Sequence, residues 1–243
     1  LDVVDVNHKI YGNPDLLAET AENFNASAVY HADRDKHVYE AEFAYFNNRI
    51  ENSIMLVIIG QQSGDQSNPA DGPPPYSYRN LGHYATKGYR LSLNYRFYPN
   101  LNIKTGINQT TSIIGESRDS EKQSAASTDF NATVNYTFVK YDLNVSLFYK
   151  YNGELPLFSL NEQDEVLLRT LSDYQTFDLT LGKSFMENSL NVSVGAKNIF
   201  DNKVIPVSGT STGGIHSGGG GGSLIGYGRI YFVNASYTIK YLK

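Results

Sequence analysis

Tyr89-Arg90-Leu91-Ser92-Leu93-Asn94-Tyr95-Arg96-Phe97 alternates apolar and polar residues one for one. Successive side chains of a β-strand point to opposite faces. One face of this stretch therefore carries Tyr, Leu, Leu, Tyr and Phe, and the other carries Arg, Ser, Asn and Arg. Such a strand needs an apolar medium on one side and water on the other. Phe130–Phe138, Leu143–Asn152, Leu190–Lys197 and Tyr231–Tyr241 repeat the pattern.

Extending the alternation outward predicts nine strands, near Phe24–His31, His37–Ile59, His83–Tyr98, Leu101–Ile114, Thr128–Phe138, Leu143–Asn152, Tyr174–Phe185, Leu190–Phe200 and Tyr227–Tyr241. No window sustains a helical period over three turns. Leu160–Leu171 comes closest and is expected to be a loop with a short helix.

The connections alternate in length. Asp33–Lys36, Pro99-Asn100, Val139–Asp142 and Met186–Ser189 are tight turns built from Asp, Asn, Pro and charged residues. Gly60–Leu81, Gly115–Ser127, Gly153–Ser172 and Asp201–Gly226 are long. A meander with one trimmed rim and one elaborated rim is the plan of an outer-membrane barrel, with the short turns periplasmic. Counted from the first tight turn, the C-terminus falls on the short-turn side.

A soluble sandwich also alternates, but three features argue against it. The expected strands often exceed ten residues, against a usual length of about five or six. Tyr95, Phe97 and Tyr98, then Tyr136 and Phe138, then Tyr149 and Tyr151 cluster at strand ends, as aromatic girdles do at a bilayer interface. Long joins also gather on one side. The reading is all-β, an antiparallel up-and-down transmembrane β-barrel segment.

Composition narrows the function. At 243 residues the chain is long enough for one large β domain, and its net charge of −5 provides no basic surface for nucleic acid. With no cysteine, it has neither a disulfide framework nor a thiolate ligand or nucleophile. The longest apolar run, Ile54–Ile59, has six residues, whereas a membrane-spanning helix needs about 20. Leu1-Asp2-Val3-Val4-Asp5 lacks the basic region and cleavage pattern of a signal peptide, so the chain is expected to begin mid-protein or after processing. Asn-x-Ser/Thr occurs at Asn25, Asn131, Asn135, Asn144, Asn191 and Asn234, always inside an alternating strand. Small polar residues at i and i+2 facing water produce that pattern, and glycosylation is rejected.

Three segments go beyond pattern. Gly12-Asn13-Pro14-Asp15-Leu16-Leu17-Ala18-Glu19 closely resembles the Gly-Asn-Pro-x-Leu-x-x-Glu segment of TonB-dependent outer-membrane receptors, where the chain returns to the barrel from an extracellular loop. Leu190–Asp201, ending Lys197-Asn198-Ile199-Phe200-Asp201, is similar to that family's penultimate strand. Gly228-Arg229-Ile230-Tyr231-Phe232-Val233 resembles the start of its last strand. The three occur in the family's order across essentially the whole chain. One departure is the ending Tyr241-Leu242-Lys243, which lacks the terminal aromatic residue common in outer-membrane barrels. No segment matches the last strands of the subgroup that imports glycans beneath a lipoprotein lid.

The resemblance implies a C-terminal barrel portion spanning residues 1–243, about nine strands of a barrel of about 22. A plug domain and N-terminal strands would lie outside the chain. Physics agrees, because an open nine-stranded sheet in lipid leaves two edges of unpaired backbone groups, each group costing several kcal/mol. The implied function is energised uptake of a scarce ligand: a siderophore, haem, cobalamin or an oligomer. The implied partners are the plug and N-terminal barrel half, the TonB complex through that plug, outer-membrane lipids and a surface lipoprotein. No cofactor is expected.

Candidate site residues are few. Tyr76 and Tyr78 close a proline-rich join and suit an aromatic platform over the substrate vestibule. His216 neighbours the run Gly218–Gly222 and suits a loop ligand for haem, as does His8, while the glycines themselves suit a flexible extracellular loop. His31 and His37 flank a tight turn. Arg90, Arg96, Lys104, Lys150, Lys197 and Lys240 are expected to face the lumen, against plug carboxylates or water. No His-Glu-x-x-His, nucleophile elbow or paired carboxylates occurs, so no enzyme is expected. Two rival readings stay open: a small closed outer-membrane barrel with Leu1–Lys9 as a tenth strand, acting as a protease or lipase, and a non-enzymatic adhesin or porin-like barrel.

Overall fold

The computed structural model describes residues 2–4, 9–58, 75–115, 122–160, 166–208, 222–224 and 226–239. In chain order, short strands β1 (Val3–Val4) and β2 (Lys9–Tyr11) precede the long strands β3 (Thr20–Arg34), β4 (His37–Ile58), β5 (Pro75–Phe97), β6 (Leu101–Gly115), β7 (Lys122–Phe138) and β8 (Leu143–Asn152). Then come β9 (Leu155–Leu160), β10 (Val166–Leu171), β11 (Tyr174–Phe185), β12 (Leu190–Lys197), β13 (Val204–Ser208), β14 (Gly222–Leu224) and β15 (Ile230–Tyr237). One 3-10 turn, Val139–Tyr141, joins β7 to β8, and no α-helix occurs among the described residues.

The wall is a single antiparallel meander in the order β3-β4-β5-β6-β7-β8-β11-β12-β15. All nine expected strands are present and neighbour one another in sequence order. Each tight turn falls where expected and carries a left-handed residue other than glycine, except at Pro99: Asp35, Asp142, and the run Met186, Glu187 and Asn188. Asp and Asn tolerate positive φ better than other side chains, which suits Asp35, Asp142 and Asn188.

The joins on the opposite rim differ from expectation. Pro75–Leu81 and Lys122–Ser127 are strand, so β5 and β7 continue upward past the alternating stretches. Of Leu160–Leu171, expected as a loop with a short helix, Leu160 ends β9 and Val166–Leu171 form β10, paired with β9 from Leu171↔Leu155 to Val166↔Leu160, while residues 161–165 lie outside the described residues. β10 also pairs β13, and β13 pairs β14, giving a small second sheet above the wall. Leu-Pro-Leu-Phe and Val-Leu-Leu do not alternate, so the period-2 signal fails there although the backbone is extended.

The tenth-strand reading fails as well. Among the described residues β2 pairs neither β3 nor β15; it runs parallel to β5, with Lys9↔Pro75 and Tyr11↔Ser77. β5 outreaches β6, whose ladder stops at His83↔Gly115, and β2 occupies the edge left vacant above that point. The sheet is open. β3 pairs only β4 and β15 pairs only β12 among the described residues, and nearly every residue of both strands is exposed.

Burial shows where the apolar medium lies. The outward face presents Phe43 (51% exposed), Leu91 (41%), Leu93 (44%), Ile107 (45%), Leu181 (39%) and Val194 (42%) from five strands. Only Val38, Tyr76, Ala85, Ile114 and Ile205 are buried apolar side chains among the described residues. A water-soluble sheet protein of this size buries its apolar face, and this one displays it. On β5 the outward apolar row runs from Phe97 to Tyr89, roughly 27 Å of strand at 3.3 Å per residue. Tilted as in known barrels, it covers about 20 Å of depth, and the terminal rings extend it toward the ~25 Å apolar band.

Candidate functional site

The inward face is a lattice of amides, hydroxyls and charges set by the register. Rows such as Glu42–Ser92–Gly106–Asn131–Lys150 and Glu40–Asn94–Lys104–Thr133 cross the wall from β4 to β8 or β7. Neighbouring small side chains bond across strands: Thr137 Oγ1 donates to Asn144 Oδ1 (2.7 Å), Ser146 Oγ to Asn135 Oδ1 (2.7 Å) and Ser184 Oγ to Asn191 Oδ1 (2.7 Å). Three of the Asn-x-Ser/Thr asparagines are thus members of this network. Arg90, Arg96, Lys104, Lys150 and Lys197 all fall on the inward face by register, as expected, and Lys240 lies outside the described residues. A recess of about 460 Å³ opens inward between Asn25, Ser27, Glu42, Phe46, Asn48 and Arg90.

The Gly12–Glu19 segment is a clamp at the elaborated rim. Asn13 Oδ1 accepts from the Asp15 N–H (2.9 Å), an Asx turn around Pro14, while its Nδ2 donates to the Tyr78 carbonyl (2.9 Å). Asn80 on β5 accepts from the Leu17 N–H (2.8 Å) and donates to the carbonyls of Leu17 (3.0 Å) and Asn52 (2.7 Å). Glu19 Oε2 accepts from the Ile54 N–H (3.1 Å), and Asn52 Nδ2 donates to the Ala18 carbonyl (3.3 Å). Asn52 adopts positive φ (55°), turning its groups toward the returning chain between the Glu51↔His83 and Ser53↔Leu81 pairs. Asn52 and Asn80 were not singled out from sequence. Asn52 stands between Glu51 and Ser53, and Asn80 lies in the stretch read as a long join, so neither carries a local signal.

The other two motif segments meet in space. Asn198 and Asp201 both take positive φ (50° and 61°), ending β12 in a turn closed by the Asp201 N–H on the Asn198 carbonyl (2.8 Å). Asp178 Oδ1 caps that turn by accepting from the Asn198 N–H (2.8 Å). Asp201 Oδ1 accepts from the Arg229 N–H (2.8 Å), and Arg229 Nε donates back to the Ile199 carbonyl (2.9 Å). Gly228 has φ +81°, and a Cβ there would lie 2.6 Å from Asp201 Oδ1. The Arg229 amide first, and Lys203 (3.3 Å away) second, hold the Asp201 carboxyl below the usual carboxylate range. Phe200 packs near Phe177, ring centroids 6.0 Å apart.

The remaining candidates are scattered. Tyr76 is buried (5% exposed) and Tyr78 half-exposed, and both belong to β5 rather than to a join. His216 and His8 lie outside the described residues. His31 and His37 stand on opposite faces, so they cannot share a ligand. His37 points outward into an aromatic group with Tyr39, Tyr95 and Phe97, its Nδ1 2.9 Å from the Tyr95 hydroxyl. Among the described residues no group of three or more His, Asp or Glu side chains is arranged to hold a metal ion.

Residues 4–199 match the family model described as TonB dependent receptor-like, beta-barrel. No curated protein matches the chain. Among solved structures it is similar to the FrpB iron transporter of Neisseria meningitidis, at 17% identity and TM-score 0.61, over 95% of this chain and 33% of that one. It is also similar to the pyoverdine outer-membrane receptor FpvA of Pseudomonas aeruginosa PAO1 (18%, TM-score 0.61, 97% and 32%) and the siderophore receptor PirA of Acinetobacter baumannii (17%, TM-score 0.57, 97% and 34%). At such identities the likeness is one of fold, and the chain spans about a third of the length of these structures. With the family model covering most of its length, the chain belongs to the TonB-dependent receptor β-barrel family.

Proposed function

We propose that the chain is the C-terminal part of the barrel of an active transporter in a bacterial outer membrane, forming wall and extracellular joins for uptake of a ferric siderophore. The observation that carries this reading is an open wall with unlike faces. Among the described residues β3 and β15 leave edges of 15 and 8 residues unpaired. In hydrocarbon those edges would cost on the order of tens of kcal/mol, so upstream strands of the same receptor pair with them. A plug outside the chain fills the polar lumen and carries the contact to TonB. The siderophore assignment draws on the similar solved structures, two of which are siderophore or pyoverdine receptors. The family supports a transporter rather than an enzyme as the reading of this wall.

Outer membranes from iron-starved source cells test it. The chain is expected within a polypeptide about three times its length that migrates faster unheated than boiled, and its deletion abolishes uptake of the cognate ferric siderophore. A free-standing 27.0 kDa polypeptide, or unchanged uptake of every ferric chelate after deletion, overturns the reading.

A further inference from the structure

Lumenal charge is sorted by strand. Arg90 and Arg96 on β5, Lys104 on β6 and Lys150 on β8 make no ion pair among the described residues, and neither do Asp33 on β3 or Glu40 and Glu42 on β4. Acidic side chains therefore line the β3–β4 side and free cations the β5–β8 side. Asp129, the carboxylate nearest the cations on β7, is occupied by the Gly153 N–H (3.1 Å) and by Asn108 Nδ2 (3.5 Å).

The same strands hold unmet polar groups. Asn94 Oδ1, Arg96 Nε, Asn102 Oδ1 and Asn108 Oδ1 are the buried side-chain polar atoms without a hydrogen-bond partner among the described residues, and all four lie on the inward face of β5 and β6. A polar atom left this way is destabilising unless water or a ligand reaches it. Between these rows Ser92 pairs with Gly106, so only small side chains separate the cations along the two strands.

We propose that the lumenal face of β5 and β6 is a hydrated track for a negatively charged metal chelate, passed from Arg90 to Lys104 to Arg96 toward the short-turn rim. The proposal rests on the transport reading above. Lys104 is level with Asn94, so the steps are roughly 13 Å and 7 Å along the strands. That spacing is comparable with the ~8 Å screening length at physiological salt, so each cation is felt from the next. Several weak sites in series release a passing ligand better than one deep site. Asp33, Glu40 and Glu42 repel the same anion and confine it to the track.

The absence of cysteine from the chain allows a direct test in the intact receptor in outer-membrane vesicles, with any cysteine elsewhere replaced by serine. Asn102→Cys lies opposite Arg96 and two residues from Lys104; Val29→Cys lies opposite Glu42. At Asn102→Cys an anionic methanethiosulfonate is expected to react about tenfold faster than a cationic one, a preference of the size that electrostatic steering gives. Adding Arg96→Gln and Lys104→Gln should bring the two rates together, and Val29→Cys should show the reverse preference. Equal rates at Asn102→Cys, or no reaction there with either reagent because a plug segment covers this face, overturns the track. Labelling reports on the lumen whether or not a chelate is the cargo. Ferric-chelate uptake by the parent strain tests the transport reading separately.

Discussion

Phe46 lies across Gly88 on the lumenal face. The two residues pair directly between β4 and β5, and a Cβ on Gly88 would come 2.9 Å from Phe46 Cζ and 2.0 Å from the Gln109 carbonyl oxygen. Phe232 stands in the same relation to Gly195 across β15 and β12, with Cζ 2.6 Å from the missing Cβ. An aromatic ring covering a glycine on the paired strand restores packing that the glycine lacks and lets the sheet curve there.

Gly88→Ala is therefore expected to destabilise the barrel by roughly 1–3 kcal/mol, the usual cost of forcing extra volume into a packed site. The Gln109 backbone cannot yield as a side-chain tip would. Urea unfolding of the intact receptor in detergent, read by loss of heat-modifiable migration, measures it. A midpoint equal to that of the parent would show that the ring and ladder relax freely.

The two faces of β5 predict opposite responses one residue apart. Leu93 is 44% exposed on the outward face and sits midway along its apolar row. Leu93→Arg places a charge near the bilayer midplane and should cost about 2–4 kcal/mol of membrane assembly. Asn94→Arg points into the lumen and should assemble normally. Folding yield into lipid vesicles compares them, and equal yields would reverse the assignment of faces.

The nine wall strands were legible because lipid outside and water inside impose a strict period of two on each. Where that condition ends, so did legibility. Among the described residues Leu155–Leu160 and Val166–Leu171 pair only with each other and β13, and their sequences do not alternate. The Gly12–Glu19, Asn198–Asp201 and Gly228-Arg229 segments could be named from their resemblance to the family. That Asp201 receives the Arg229 amide, 28 residues on, could not, because no local period encodes such a contact. Asn52 and Asn80 were missed for the same reason.

Asn80 makes three hydrogen bonds that tie the returning chain to β5 and β4. Asn80→Ala removes all three and exposes the Leu17 peptide groups to water. At about 0.5–1.5 kcal/mol per bond, the clamp should lose about 2–4 kcal/mol locally, while the nine-stranded wall stays folded. Faster hydrogen exchange at the Leu17 amide and new protease nicking between Gly12 and Thr20 are the expected readouts. Exchange at parent rates would mean that Asn13 and Glu19 hold the segment without Asn80.

Asp201 gives the join between β12 and β15 a defined acid limit. Its carboxyl titrates below the usual range because the Arg229 amide and Lys203 favour the charged form. A depressed folded pKa contributes stability that is fully present above the unfolded value, about 3.9, and is lost as pH falls through the lower folded value. Protease resistance of the Asn198–Arg229 region should thus hold from pH 8 to about pH 5 and weaken below about pH 4. Asp201→Asn keeps an oxygen acceptor for the Arg229 amide but cannot titrate, so its resistance should stay flat through the same window. If the variant falls in parallel with the parent, another carboxyl sets the acid limit and Asp201 serves only as a hydrogen-bond acceptor.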